Sequence, residues 1–174
     1  MTNTNEQKGN YFIIADHLRT TIFALADGAT FESKGRGYVL KKLVKKVTLL
    51  AYVLNISNDR LEKISKKLIE INSFYHTHLK NKEEIIISEI KKEIDKSNML
   101  ISKSVKKLAN YHSPIISAEN IFFWYDTEGV PLELIRTYLE DRGQKFPEFE
   151  FKELLEKQKK RSLKDRKKKK TLIF

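Results

Sequence analysis

The chain has 174 residues, 40% hydrophobic and 33% charged, with a formal net charge of +11; this is enough apolar material for one folded domain, or one domain with a tail. Cys is absent and there are only 6 Gly and 3 Pro, which excludes a disulfide scaffold, a thiolate zinc site and a cysteine nucleophile, and argues against a turn-rich β sandwich or barrel. No apolar run approaches the roughly 18 residues of a membrane span, and the opening MTNTNEQKGN has no signal-peptide core, so an all-α, cytoplasmic chain with no membrane partner is expected.

Phe12, Ile13, Ala15, Ile22, Phe23 and Ala26 recur at helical spacing and predict a first helix over about 11–26, with Asn10 as its cap and Gly28 in the left-handed conformation at its end. A polar stretch, TFESKGRG, follows; Gly35 and Gly37 flank Arg36 and let the backbone turn sharply or approach a neighbour closely. A second helix is predicted over about 38–54. Its apolar side carries Val39, Leu40, Leu43, Val44, Val47, Leu50 and Leu54, and Lys41, Lys42, Lys45 and Lys46 lie opposite. Four ammonium groups on two turns repel one another, an arrangement at home beside phosphate, although a solvated face is the commoner fate of lysines.

Ser57 or Asn58 caps a predicted third helix with the stripe Leu61, Ile64, Leu68, Ile71 and Tyr75. After a polar break at 80–82, Ile87, Ile90, Ile94, Ile101, Val105 and Leu108 mark a long fourth helix, suited to an antiparallel hairpin with the third. Ser117 caps the short segment ENIFFWYDT, with Glu119 in its first turn, where the helix dipole favours a carboxylate. Gly129 ends it, Pro131 opens LELIRTYLEDRG, and a last helix begins near Glu148 with Phe151, Leu154 and Leu155. From Lys157 onward stand ten basic residues and one acid, Asp165, a net of +9 out of the total of +11. Such a run attracts polyanions without reading sequence, or is simply a solvated helix end. The expected layout is an irregular helical bundle over 1–156 and a basic tail over 157–174.

No residue set for autonomous catalysis or for a metal stands out. His17, His76, His78 and His112 have no metal-ligand spacing, and His76 and His78, two apart, point away from each other on a helix. There is no phosphate-loop, nucleophile-elbow or dinucleotide motif. Asp16 and Arg19, three apart, can form a surface ion pair. Asp126, between an aromatic run and a Gly–x–Pro turn, can accept backbone N–H bonds at the turn or point outward to a guanine amine.

Four strings in order resemble the alanyl-tRNA synthetase family: ADHLR (15–19) with Asp27-Gly28, RGYVLKK (36–42) with Lys45-Lys46, YDTEGVP (125–131), and FKELLEKQKKRS (151–162). The resemblance implies the helical region that follows the aminoacylation core, grips the acceptor stem of tRNA(Ala) and senses a G·U wobble pair. It implies base readout by Asp126 and, in place of the family's Asn, by Ser33. It implies backbone contacts from Arg36, Lys41, Lys42, Lys45, Lys46 and Arg19. A carboxylate suits the guanine amine exposed in the shallow RNA groove. The chain departs from the family where Pro-Ser-Asn reads Phe31-Glu32-Ser33, where arginine pairs are lysines, and where Phe12 replaces a basic residue. A hydroxyl lacks the paired donor and acceptor of an amide, and lysine holds phosphate as a point charge.

The family's motifs for ATP and alanine would precede residue 1, and its editing domain would follow, so this chain is expected to contribute binding without ligase chemistry. ATP and Mg belong to the whole enzyme by resemblance, with no cofactor expected here. A separate catalytic subunit is one expected partner; a free-standing RNA-binding relative is the alternative, and a merely solvated helical scaffold the third reading. Met1 and the form of the other end favour a complete reading frame.

Overall fold

A computed structural model describes residues 4–171, and side chains over 8–163. Among the described residues there are eight helices and no strand: α1 (Thr4–Ala26), α2 (Gly35–Val53), α3 (Asn58–Asn72), α4 (His78–Asn81), α5 (Glu83–Ala109), α6 (Ala118–Asp126), α7 (Leu132–Asp141) and α8 (Glu148–Thr171). The all-α expectation holds. The contacts divide the chain into two compact units, residues 1–103 and 104–174, with the division inside α5.

The first unit is built around α1. Ile14, Leu18, Ile22 and Ala26 stand at intervals of four, one apolar stripe, and all are buried. They pack with Val44, Val47 and Leu50 of α2, Leu61 and Ile69 of α3, Leu79 of α4, and Ile86, Ile90 and Ile94 of α5. The buried hydroxyls of Thr21, Thr48 and Ser65 donate to the carbonyls four residues back, at 2.8, 2.9 and 2.9 Å, so these three groups are satisfied within their own helices. The expected hairpin forms: Asn98 donates to Asn58 at 3.1 Å, and Lys91 lies 3.8 Å from Glu62, so α3 and α5 run antiparallel.

Several sequence expectations shift. Helix α1 already begins at Thr4, so Asn10 lies inside it and caps nothing. Val39 is 54% exposed despite its place on the apolar side of α2. The α3 stripe fails at its end: the helix stops at Asn72, and Ile71 and Tyr75 are exposed, while Ser65 and Ile69 are buried instead. The core-facing row therefore follows Leu61, Ser65 and Ile69, a spacing of four that a purely apolar pattern hides behind the serine. His76 lies outside any helix, and its ring sits edge-on to that of His78 at 6.0 Å. The polar break holds the one-turn helix α4.

The second unit gathers around one tryptophan and one phenylalanine. Trp124 is edge-on to Tyr111 at 4.9 Å and to Tyr138 at 6.1 Å. Ser117 caps α6 in a capping box whose second member is Asn120. Pro131 is the residue before α7 rather than within its first turn. Phe151 of α8 is buried against Phe122, Tyr125 and Phe146, with ring centroids 6.4, 5.6 and 5.2 Å away. The basic segment from Lys157 continues α8 as far as Thr171; its side chains from Lys164 on lie outside the described residues.

The polar stretch after α1 is fixed at both ends. Gly28, with φ of 92°, ends α1. Gly28 N–H donates to Leu25 and Ala29 N–H to Ala24, at 3.0 and 2.9 Å, the reciprocal pair of bonds that closes a helix on a left-handed residue. Downstream, the backbone of Thr30 and Glu32 lies directly on Gly37, where an added Cβ would meet the Thr30 carbonyl oxygen at 2.3 Å. Gly37→Ala must therefore push the segment off α2, at a cost of about 1–3 kcal/mol. Urea unfolding followed by circular dichroism at 222 nm should show that loss, whereas an unchanged midpoint would mean that the segment yields freely.

Candidate nucleic-acid interface

In the first unit the candidate residues Ser33, Arg36, Lys41, Lys42, Lys45 and Lys46 follow one another from the polar stretch into α2. Ser33 is exposed at the bend before the helix, and Arg36 is exposed in its first turn. Arg36 shares a shallow depression with Asp27, Thr30, Glu32 and Val39. Asp27 and Glu32 thus line the same depression as Arg36, and the depression is less basic than the sequence run suggests. Thr30 Oγ1 donates to Glu32 Oε1 at 3.0 Å.

The four lysines do not form one open face. Lys42 and Lys45 are exposed, and Lys41 and Lys46 are half-buried. Lys42 Nζ sits 4.7 Å above the Tyr38 ring, a cation–π contact that orients the ammonium group. Lys46 has a partner within the chain. Arg19 is exposed on α1. It forms no ion pair with Asp16 among the described residues; the Asp16 carboxylate lies instead 3.8 Å from His17 Nδ1, on its sequence neighbour. Their spacing puts Asp16 and Arg19 on one face, but an exposed ion pair there gains little over solvation and costs the freedom of the long arginine side chain.

The end of α1 has clamps that the sequence did not announce. Lys82 Nζ donates to the Ala26 carbonyl at 2.6 Å, satisfying one of the helix's terminal carbonyls with a cation. His78 Nε2 lies 3.5 Å from Asp27 Oδ1. Both partners come from 51 and 56 residues downstream, beyond the range of local pattern reading.

In the second unit Asp126 is the last residue of α6 and is exposed. The turn after it is closed by backbone alone: Thr127 and Glu128 N–H both donate to the Phe123 carbonyl, and Val130 N–H to Trp124 at 2.8 Å. The Asp126 carboxylate is thus not spent on the turn. Its Oδ1 accepts from Gln158 Nε2 of α8 at 3.0 Å. By sequence Gln158 falls in the basic tail; the signal for its contact with Asp126 is its place seven residues after Phe151, on the same helix face. Among the described residues no three His, Asp or Glu side chains group as metal ligands, and no helix is long and apolar enough to cross a membrane.

The family model described as "tRNA synthetases class II (A)" matches residues 1–173. The chain belongs to that family, in its alanyl branch. It is 34% identical over 157 residues to an alanine–tRNA ligase of Bacillus velezensis, covering 86% of this chain and 18% of the relative. Similar matches are the alanine–tRNA ligases of Aliarcobacter butzleri, 34% identical with 90% and 19% covered, and Campylobacter jejuni, 30% identical with 90% and 19% covered. The chain thus spans under a fifth of the length of these relatives.

Two carboxylates in the second unit sit below their ordinary range. Glu119 is held down first by a backbone N–H at the start of α6 and then by the Ser117 hydroxyl. Glu148 is held down chiefly by its bond to Arg136, at 2.5 Å. Arg136 also lies 4.0 Å over the Phe146 ring, which keeps its guanidinium in place. A depressed folded pKa stabilises the fold above the unfolded value, here 4.5, and that contribution fades as pH falls through the folded value. Wild type should exceed Glu148→Gln by about 0.2–1 kcal/mol at pH 7 and converge with it near pH 3. Urea unfolding read by the fluorescence of the single tryptophan, Trp124, checks this; a gap that persists in acid would show that the pair's charge is not its source.

Proposed function

We propose that this chain is the tRNA-binding part of an alanine–tRNA ligase and that it holds the acceptor stem of tRNA(Ala), while ATP-dependent alanine attachment resides elsewhere. The observation that carries the reading is Asp126. It sits at an exposed helix end in the YDTEGVP string, with its carboxylate free of the turn and held, among the described residues, by one side-chain bond. Family membership over residues 1–173 supports the ligase connection.

On this reading Asp126 accepts from the 2-amino group of a guanine, which a G·U wobble pair presents in the shallow groove of an A-form stem. Arg36, Lys41, Lys42, Lys45 and Arg19 hold phosphates, which position the stem without specifying it. Ser33 offers a hydroxyl to the RNA from the first unit, and the basic end of α8 adds sequence-independent attraction. The chain acts in the cytoplasm, where tRNA is charged. A free-standing RNA-binding relative is the second reading. Ser33 favours it, because a hydroxyl replaces the amide that the family uses for discrimination.

The two kinds of contact separate in a titration against G·U and G·C stem helices at one fixed salt concentration. Asp126→Ala should cost about 1–3 kcal/mol on the G·U stem and little on the G·C stem. Replacing Lys42 and Lys45 with Ala should weaken both stems alike and flatten the salt dependence. Equal binding of both stems by the wild type would instead support the free-standing reading.

A further inference from the structure

Phe151, Leu154, Leu155 and Gln158 stand at i, i+3, i+4 and i+7 on α8, so they share one helix face. The first three are apolar. Phe151 is buried against Phe122 and Tyr125 of α6, and Leu154 and Leu155 are half-buried. Gln158 continues this face one turn beyond the apolar contact and is itself half-buried. It meets the C-terminal residue of α6, and its Nε2 donates to Asp126 Oδ1 at 3.0 Å across 32 residues of sequence.

We propose that Gln158 is a specificity-determining positioning residue, whose side-chain amide fixes the Asp126 carboxylate so that its other oxygen is aimed at a guanine amine. This rests on the acceptor-stem reading above. A carboxylate at an exposed helix end samples several rotamers, and ordering it on binding opposes recognition. One neutral donor on Oδ1 removes much of that freedom before RNA arrives. It takes up only Oδ1, leaving Oδ2 without a hydrogen bond among the described residues, and, unlike a lysine in the same place, does not neutralise the charge. The aromatic packing of Phe151 sets the helix register that makes the bond possible. Helix α8 thereby contributes to base discrimination through Asp126, separately from its basic attraction for any polyanion.

The test is a double-mutant cycle on the full chain, with Gln158→Leu, Asp126→Ala and the pair, each titrated against G·U and G·C stem helices at one salt concentration. Leucine keeps the packing and removes the donor; circular dichroism and Gln158→Ala control for folding. Gln158→Leu should narrow the G·U over G·C preference about 2- to 10-fold, the loss expected from releasing one side chain. It should leave G·C affinity unchanged, and it should have no further effect on the preference once Asp126 is Ala. Equal weakening of both stems, or a narrowing that persists without Asp126, overturns the proposal. If Asp126→Ala abolishes the preference and Gln158→Leu leaves it intact, the positioning role fails and the acceptor-stem reading stands. If wild type shows no preference, both fall.

Discussion

Phe151 is the ring on which the second unit depends. It is only 3% exposed, and it touches Phe122 and Tyr125 of α6 as well as Phe146 before its own helix. Each aromatic pair adds about 0.5–1.5 kcal/mol beyond the area it buries. The geometric consequence matters as much. With Phe151 seated, α8 has one rotation and one register against α6, and the residue two turns further on is brought to the end of α6. A carboxylate at the tip of a nine-residue helix would otherwise have no fixed neighbour.

The first unit solves a similar problem with backbone. The stretch between α1 and α2 has few side chains to bury, so it is held by the closure at Gly28, by Lys82 on the Ala26 carbonyl, and by the bare surface of Gly37. Ser33 and Arg36 leave that short, fixed segment just as α2 begins. In each unit, an exposed polar group sits at a helix end whose position is fixed from behind by packing or by a backbone contact. That suits recognition, since groups ordered in advance lose less freedom on binding.

Helices with strong periodicity were legible in the sequence. The Ile run of α5, the Ser117 cap and the left-handed Gly28 all follow from local rules, and the structure has each of them; the buried stripe of α1 is Ile14, Leu18, Ile22 and Ala26 rather than the expected set, of which Phe12 is 75% exposed. Local rules failed where tertiary contacts decide. The start of α1 came earlier than Asn10, Val39 stayed exposed, and Ser65 took a core position by bonding to Leu61. The order of motifs carried the family, because four strings in sequence are a long-range signal. The detail of the interface was less legible. Lysine spacing alone does not reveal that Lys41 and Lys46 are half-buried, nor that Asp27 and Glu32 line one depression with Arg36. The Gln158 bond joins residues 32 apart, a distance at which helical periodicity has nothing to say about partners.

On the proposed reading, Asp126, held by Gln158 in the second unit, and the fixed segment before α2 in the first unit each contact RNA in addition to the basic end of α8. Nuclear magnetic resonance of the nitrogen-15-labelled chain, titrated with a short G·U stem helix, tests this most directly. Saturable shifts are expected at Asp126, at the Gln158 side-chain amide and at residues 33–45, surviving at moderate salt. Shifts confined to the residues after Lys157, and lost as salt rises, would contradict it.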